Sequence, residues 1–335
     1  MSDVTVAIPV RDGGELLERT LRAVGAQTVE HELLVCDSSS TDGSAAVART
    51  HGARVIEIAP RSFSHGGTRN LLMRESRGTH VALLTQDAEP QDEQWLERLL
   101  DGFSLGEDVA IVYGPYRPRP DVTFAVRVEL EGWFRSLSAD GAPRVDRLAP
   151  HERGLPAREL IGARGFFTDA NACLERAAWE RVPFRDVPYA EDRVLAIDML
   201  RAGYAKAFVP GAAVWHSHDH TTLEQVRRSF DEWRGLREVY GWREPASPAR
   251  TARQLRGAVR QALEELNHEG APRRLTTLVG VSRHHVARLT GALLGSRADR
   301  LPPAARRRLS LERRAGFSPL DLEAPEAPDD PGPQH

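Results

Sequence analysis

Lysine is nearly missing from this sequence. Lys206 is the only one, so arginine supplies almost all the positive charge in a chain of 335 residues with 45 basic and 48 acidic side chains. The formal charge of −3 gives no overall basic field of the kind a nucleic-acid partner requires. Cysteine is equally scarce. Cys36 and Cys173 stand far apart inside apolar segments, which excludes a framework of bridges and a zinc spacing and predicts buried, reduced thiols. No apolar run approaches the roughly 18–20 residues of a spanning helix. The start of the chain runs into Val4-Thr5-Val6-Ala7-Ile8 with no signal-like segment before it. The expectation is a cytoplasmic protein, free or held peripherally at the inner face of the membrane. A Gly-x-Gly-x-x-Gly stretch after the first strand is also absent, which argues against a dinucleotide-dependent dehydrogenase. In its place Arg11-Asp12-Gly13-Gly14 is short and has no lysine, unlike the phosphate loop expected of a sugar nucleotidyltransferase.

What is present is a regular alternation. Residues 4–10 form a β-branched, apolar run that reads as a buried strand. Leu16, Leu17, Thr20, Leu21 and Val24 then fall on one face of a helix. Strands are predicted at 32–37, 54–59, 81–87 and 109–114, with helices at 41–51, 67–77 and 93–103 between them. Such a pattern specifies a mostly parallel sheet sandwiched by helices, in which ligands bind beyond the carboxyl ends of the strands. Prolines break the pattern from about 115 to 160, around a helical piece at 124–137. A strand at 166–175, a helix at 191–202, a strand at 205–216 and a helix at 223–240 follow. Beyond 245 the chain is Arg-rich and helical, and from Pro325 it is proline-rich and acidic. Three regions result: a catalytic domain over 1–244, a helical C-terminal appendage over 245–324 and a disordered tail over 325–335.

The chemistry-bearing residues sit just after the predicted strands. Pro9-Val10-Arg11 ends the first. Asp37 ends the second, before a run of hydroxyl residues suited to a nucleobase or ribose, although an acid or serine there equally serves as a helix N-cap, and Asp42 fits that use. Gly66-Gly67-Thr68-Arg69-Asn70 opens a helix whose glycines allow close approach to an anion, with Arg69 one turn in; a plain Gly-rich turn is the alternative. Asp87 follows an apolar strand and offers the oxygen ligand that a hard cation on a diphosphate needs. Glu191-Asp192 opens a helix, either facing its dipole or supplying a general base. His216 and His218 alternate, so an extended backbone points both to one side as metal ligands, where a surface histidine run is the simpler account.

Taken in order, Val6-Ala7-Ile8-Pro9-Val10, Asp37 to Asp42, Arg69-Asn70, the strand into Asp87, Glu191-Asp192 and the two histidines resemble family 2 glycosyltransferases of the GT-A fold over residues 3–240. Phe63 to Asn70 with Thr85-Gln86-Asp87-Ala88 is most similar to a rhamnosyltransferase-like branch. The resemblance implies an inverting enzyme that takes a nucleotide-diphosphate sugar, such as dTDP-rhamnose, to a glycan or lipid-linked acceptor. It gives Pro9, Val10, Arg11, Asp37, Gly67, Arg69 and Asn70 to the donor nucleotide, and Asp87 with His216 or His218 to Mg²⁺ or Mn²⁺. Asp192 becomes the base, with Glu191 as runner-up. Two positions depart from the family pattern: Thr85 replaces the first aspartate of the metal motif, and Ser38 replaces the second acid of an early pair. A catalytically inactive module that binds nucleotide sugars or glycans is therefore the competing reading. The basic surface over 245–320 suits either an anionic membrane, a dimer contact or a cap on the catalytic domain.

Overall fold

The computed structural model describes residues 3–160, 162–187, 189–270 and 275–311. In chain order it contains β1 (Val4–Val10), α1 (Gly14–Gly25), β2 (Glu32–Asp37), α2 (Ser44–Thr50), β3 (Arg54–Glu57), α3 (His65–Glu75), β4 (His80–Leu84), β5 (Glu89–Pro90) and α4 (Trp95–Asp101). There follow β6 (Val109–Tyr113), β7 (Tyr116–Arg117), α5 (Phe124–Leu137), β8 (Arg144–Asp146), β9 (Asn171–Glu175), α6 (Arg176–Arg181) and α7 (Glu191–Ala202). The chain continues with β10 (Ala205–Phe208), β11 (Val214–Trp215), α8 (Thr222–Tyr240), α9 (Pro248–His268), α10 (Leu275–Gly295) and α11 (Pro303–Leu309).

The large sheet has the order β3-β2-β1-β4-β9-β6-β10-β8. β1 lies at the centre of a parallel set, with Val6 opposite both Leu33 and Ala82. Its alternate side chains feed two cores. Val6 and Ile8 join Leu17 and Leu21 of α1 and Trp95 of α4 on one face. Ala7 joins Leu72 and Met73 of α3 and Leu195 and Met199 of α7 on the other. Burial on both faces is why these strands read as continuous apolar runs rather than alternating ones. β9 and β8 are the exceptions in direction, each antiparallel to its neighbours.

Three differences from the expected elements bear on the site. β4 ends at Leu84, and Asp87 lies in a turn where the Ala88 amide donates to the Thr85 carbonyl at 3.1 Å. β9 begins only at Asn171. The strand expected over 205–216 is two strands in two sheets, because Pro210-Gly211 turns the chain out of the large sheet after Phe208. The second piece, β11, pairs antiparallel with β5 and parallel with β7, forming a small three-stranded sheet at the edge of the strand ends.

The helices beyond residue 245 pack onto the rest of the molecule. Ala258 and Ala262 of α9 meet Ala125 of α5 and Val281 of α10. Gly291 and Gly295 let α10 lie directly on α8: a Cβ at either would come within 2.3 Å of the Val226 or Phe230 carbonyl. No helix among the described residues is long and apolar enough to cross a membrane. Residues 312–324 of the C-terminal region and the 325–335 tail lie outside the described residues.

The single lysine is a test of the edge of the sheet. Lys206 on β10 is fully buried, and its Nζ lies 2.6 Å from Asp146 Oδ2 on β8 and 3.2 Å from the Ala163 carbonyl. Removing the carboxylate leaves a buried charge with no counter-charge. Asp146→Ala should lower unfolding free energy by about 3–5 kcal/mol in urea titration, while the paired replacement Lys206→Met/Asp146→Leu should cost far less. A loss below about 1 kcal/mol for the single variant would contradict this role.

Candidate active site

The loops after β1 and β2 are stitched together before anything binds. The amides of Asp12, Gly13 and Gly14 donate to Ser40 Oγ, Ser44 Oγ and Asp42 Oδ2, each at 2.9 Å, and the Thr41 amide donates to Asp12 Oδ1 at 2.7 Å. Asp42 also accepts from the Ser44 amide at 3.0 Å, but the cap of α2 is Gly43, so Asp42 sits one residue before the N-cap position expected of it. Asp37 is only 2% exposed and accepts from both the amide and the hydroxyl of Ser40. The Gln86 side chain clamps the backbone of Arg11 from the third strand end, accepting at 2.8 Å and donating at 3.1 Å, and the Arg11 guanidinium stands exposed at the rim. Asp12 and Ser39 hold positive φ without being glycine, as does Ala190 before α7. Such backbone strain is concentrated at functional sites. All three residues lie in the loops just described or at the start of α7.

Across this rim, the small sheet brings together residues far apart in sequence. Pairing of Trp215 with Glu89 carries the segment after β11 alongside the turn before β5. There His216 Nδ1 lies 3.4 Å from Asp87 Oδ1, and His218 Nε2 lies 3.2 Å from Asp87 Oδ2. One ligand atom from each of the three falls within 4.8 Å of the others. Burial pushes the Asp87 carboxyl up, but His216 and His218 beside it hold it well below the usual carboxylate range. Burial and the neighbouring His216 push His218 down to about 4, leaving a neutral ring at pH 7. His216 Nδ1 is buried yet not aligned for a hydrogen bond. A carboxylate and two imidazoles, one of them neutral at pH 7, make a donor set that fits a divalent cation.

Arg119, in a segment without readable periodicity, supports this cluster. Its guanidinium donates to the Asp87 carbonyl at 2.9 Å and to Glu89 Oε2 at 2.8 Å. Tyr116 links the cluster to the other acids. Its ring meets His216 edge-on at 4.6 Å, its hydroxyl bonds Thr168 Oγ1, and the charges of Asp192 and Asp169 both act on it.

Gly67, Arg69 and Asn70, assigned to the donor by the resemblance, each have partners within the protein. A Cβ on Gly66 would lie 2.3 Å from the Arg185 carbonyl, so this glycine admits protein backbone, and the Gly67 amide donates to the cap of α3, Ser64 Oγ, at 3.1 Å. Arg69 is 4% exposed, pairs with Asp169 through Nε and lies 3.2 Å from Glu191 Oε1 through Nη1. Asn70 donates to the Phe184 carbonyl and accepts from Trp179 Nε1 and the Phe184 amide. Glu191 is thereby buried and committed to Arg69, with His65 Nδ1 a further 3.9 Å contact. Asp192, half-buried beside it, takes only the neighbouring Arg193 amide at 2.7 Å. Burial, and then the Glu191 charge, push Asp192 up to about 7, a value suited to an acid or base at neutral pH. Asp169, which the sequence reading did not single out, is pushed well up by burial and by both neighbouring acids.

One guanidinium thus offsets a cluster of three carboxylates. Arg69→Met should destabilise the fold by about 3–5 kcal/mol at pH 7. The loss should shrink as pH falls and the stranded acids take up protons. Urea titration at pH 7 and pH 5 checks this; equal losses at both would contradict it.

Comparison with known proteins agrees with this architecture. The model of the family described as Glycosyl transferase family 2 matches residues 5–166. The O-antigen chain rhamnosyltransferase WbaN of Salmonella anatum is 30% identical over 237 residues, covering 69% of this chain and 71% of that protein. The O-antigen chain rhamnosyltransferase RfbN of Salmonella typhimurium is 30% identical over 235 residues, covering 68% and 70%. Among solved structures, the mannosyltransferase PcManGT from Pyrobaculum calidifontis, in complex with GDP-Man and Mn²⁺, superposes with a TM-score of 0.56 at 16% identity, covering 88% of this chain and 87% of that one. That likeness gives the GT-A fold. The strand-end site, the fold and these relatives place the chain in glycosyl transferase family 2.

Proposed function

We propose that the protein is an inverting, metal-dependent glycosyltransferase that moves a deoxyhexose, rhamnose, from a nucleotide-diphosphate donor to a hydroxyl of a glycan or lipid-linked acceptor in polysaccharide assembly. The observation that carries this reading is the meeting of Asp87, His216 and His218 at one side of the rim; the charge of Asp192 acts on Tyr116, whose ring packs on His216. The rhamnosyltransferase names of the two Salmonella relatives support the choice of sugar.

In this account Pro9, Val10 and the exposed Arg11 edge the donor pocket, and Asp37, fixed by Ser40, faces the nucleoside. Asp87, His216 and His218 hold the divalent cation. When bound, that ion supplies positive charge to the departing diphosphate. Asp192 takes the proton of the acceptor hydroxyl as it attacks the anomeric carbon from the face opposite the leaving group, and one such displacement inverts the stereochemistry. Arg69 holds Glu191 in an ion pair, so Asp192 rather than Glu191 is the base. The catalytic unit spans 1–244, with α9, α10 and α11 packed against it.

Two outcomes follow. Asp192→Asn should reduce kcat by about 10²–10⁴-fold with donor affinity unchanged. Because the ionised carboxylate is the base, wild-type kcat/KM should fall about tenfold per pH unit below about 7; retention of more than about a tenth of wild-type turnover by the variant would remove the assignment. Asp87→Ala should abolish the Mn²⁺-dependent part of nucleotide-sugar binding in calorimetry, as should a chelator with wild type; undiminished affinity in either would contradict the metal role.

A further inference from the structure

A cleft of about 810 Å³ opens at His216 and His218 and runs between α5, α8 and α10. The chemistry proposed above uses only its mouth. Among the described residues, two buried side-chain atoms of residues lining it have no hydrogen-bond partner: Trp242 Nε1 and Gln254 Oε1. Native interiors leave few such atoms, and these two offer a ligand one N–H donor and one carbonyl acceptor.

The charges on the walls are largely balanced. Arg288 Nε lies 3.0 Å from Glu129 Oε1, although not aligned for a hydrogen bond, and His284 Nε2 contacts the other oxygen of that carboxylate at 2.5 Å. Against the upward push of burial, His284 and Arg288 hold Glu129 at about 2. Arg193 Nη2 is likewise 3.2 Å from Glu232. Among the described residues, Arg228 is the lining guanidinium with no carboxylate at ion-pair distance, and it stacks on Tyr189 at 5.0 Å. A phosphate group would call for more uncompensated cations than this, and a hydrocarbon chain would leave the polar atoms unsatisfied.

The remaining surface is aromatic. Trp133 is 38% exposed and meets Phe166 edge-on at 5.0 Å, and Trp233 lies 6.4 Å from Trp242. Flat aromatic faces with scattered hydrogen-bonding atoms complement a sugar ring, which is apolar on its C–H faces and polar around its edge. The volume is toward the upper end of the roughly 300–1,000 Å³ typical of small-molecule sites.

From this geometry we infer that the cleft receives the growing end of a neutral oligosaccharide, with Trp242 and Gln254 reading its hydroxyls and fixing acceptor specificity. The inference rests on the transferase reading for the word acceptor, but saccharide binding is measurable without transfer. Full-length protein, with Mn²⁺ and dTDP present, is titrated calorimetrically with methyl glycosides of neutral hexoses, of 6-deoxyhexoses and of their disaccharides. At least one disaccharide should bind about 10-fold more tightly than its component monosaccharides. Trp242→Phe, which keeps the ring and loses the N–H, and Gln254→Ala should each weaken it by about 10-fold, with dTDP affinity unchanged. Absence of saccharide binding, or binding indifferent to both substitutions, overturns the inference. Saccharide binding that is lost in the variants, with no transfer from any nucleotide sugar, upholds the cleft and removes the transferase reading. Transfer whose acceptor KM ignores both substitutions does the reverse.

Discussion

Two residue pairs of backbone, Val214 with Pro90 and Trp215 with Glu89, hold the candidate site together. Without that short antiparallel contact the histidine segment would have no reason to lie beside the turn carrying Asp87. The contact exists because Pro210-Gly211 turns the chain out of the large sheet and because β7 supplies a parallel partner on the other side. Arg119 then fastens the assembly through the Asp87 carbonyl and Glu89. A two-residue strand is weak alone, so the surrounding ion pairs and the buried core of the large sheet carry its stability.

The other half of the site is governed by charge compensation. Asp169, Glu191 and Asp192 crowd one buried guanidinium, and a single positive charge cannot hold all three in the ionised state. Geometry decides the division: Arg69 reaches Asp169 and Glu191 directly and leaves Asp192 with only a backbone amide. The raised affinity of Asp192 for its proton is a consequence of that division, and it is what suits this side chain to exchange protons near neutral pH. The φ of +63° at Ala190 belongs to the same device, since it sets the first turn of α7 against α3.

Much of this was legible in the sequence. Apolar runs and helical periodicity placed the elements through residue 114 to within a few residues, because strands buried on both faces leave no ambiguity about the core. Asp87, Asp192 and the histidines were visible as acids and imidazoles just after strands or at a helix start. The segment from 115 to 170 was opaque, because Tyr116, Arg119, Thr168 and Asp169 act through pairings with distant residues and follow no period. The antiparallel direction of β9 was equally hidden, since a buried strand reads the same either way. At Gly66 the sequence left two readings open, since a missing Cβ permits close approach by a ligand or by the chain itself, and here the Arg185 carbonyl occupies the space.

The central claim is that Asp87 and the two histidines form one cation site at the mouth of the cleft. Pulsed electron paramagnetic resonance of Mn²⁺ bound to the full-length protein tests it most directly, because imidazole nitrogen coordinated to Mn²⁺ leaves a ¹⁴N modulation that water and carboxylate do not. The account predicts a histidine nitrogen signal that weakens in His216→Ala and in His218→Ala and vanishes in the double variant. Bound Mn²⁺ with an all-oxygen shell, unaltered by either substitution, would contradict it.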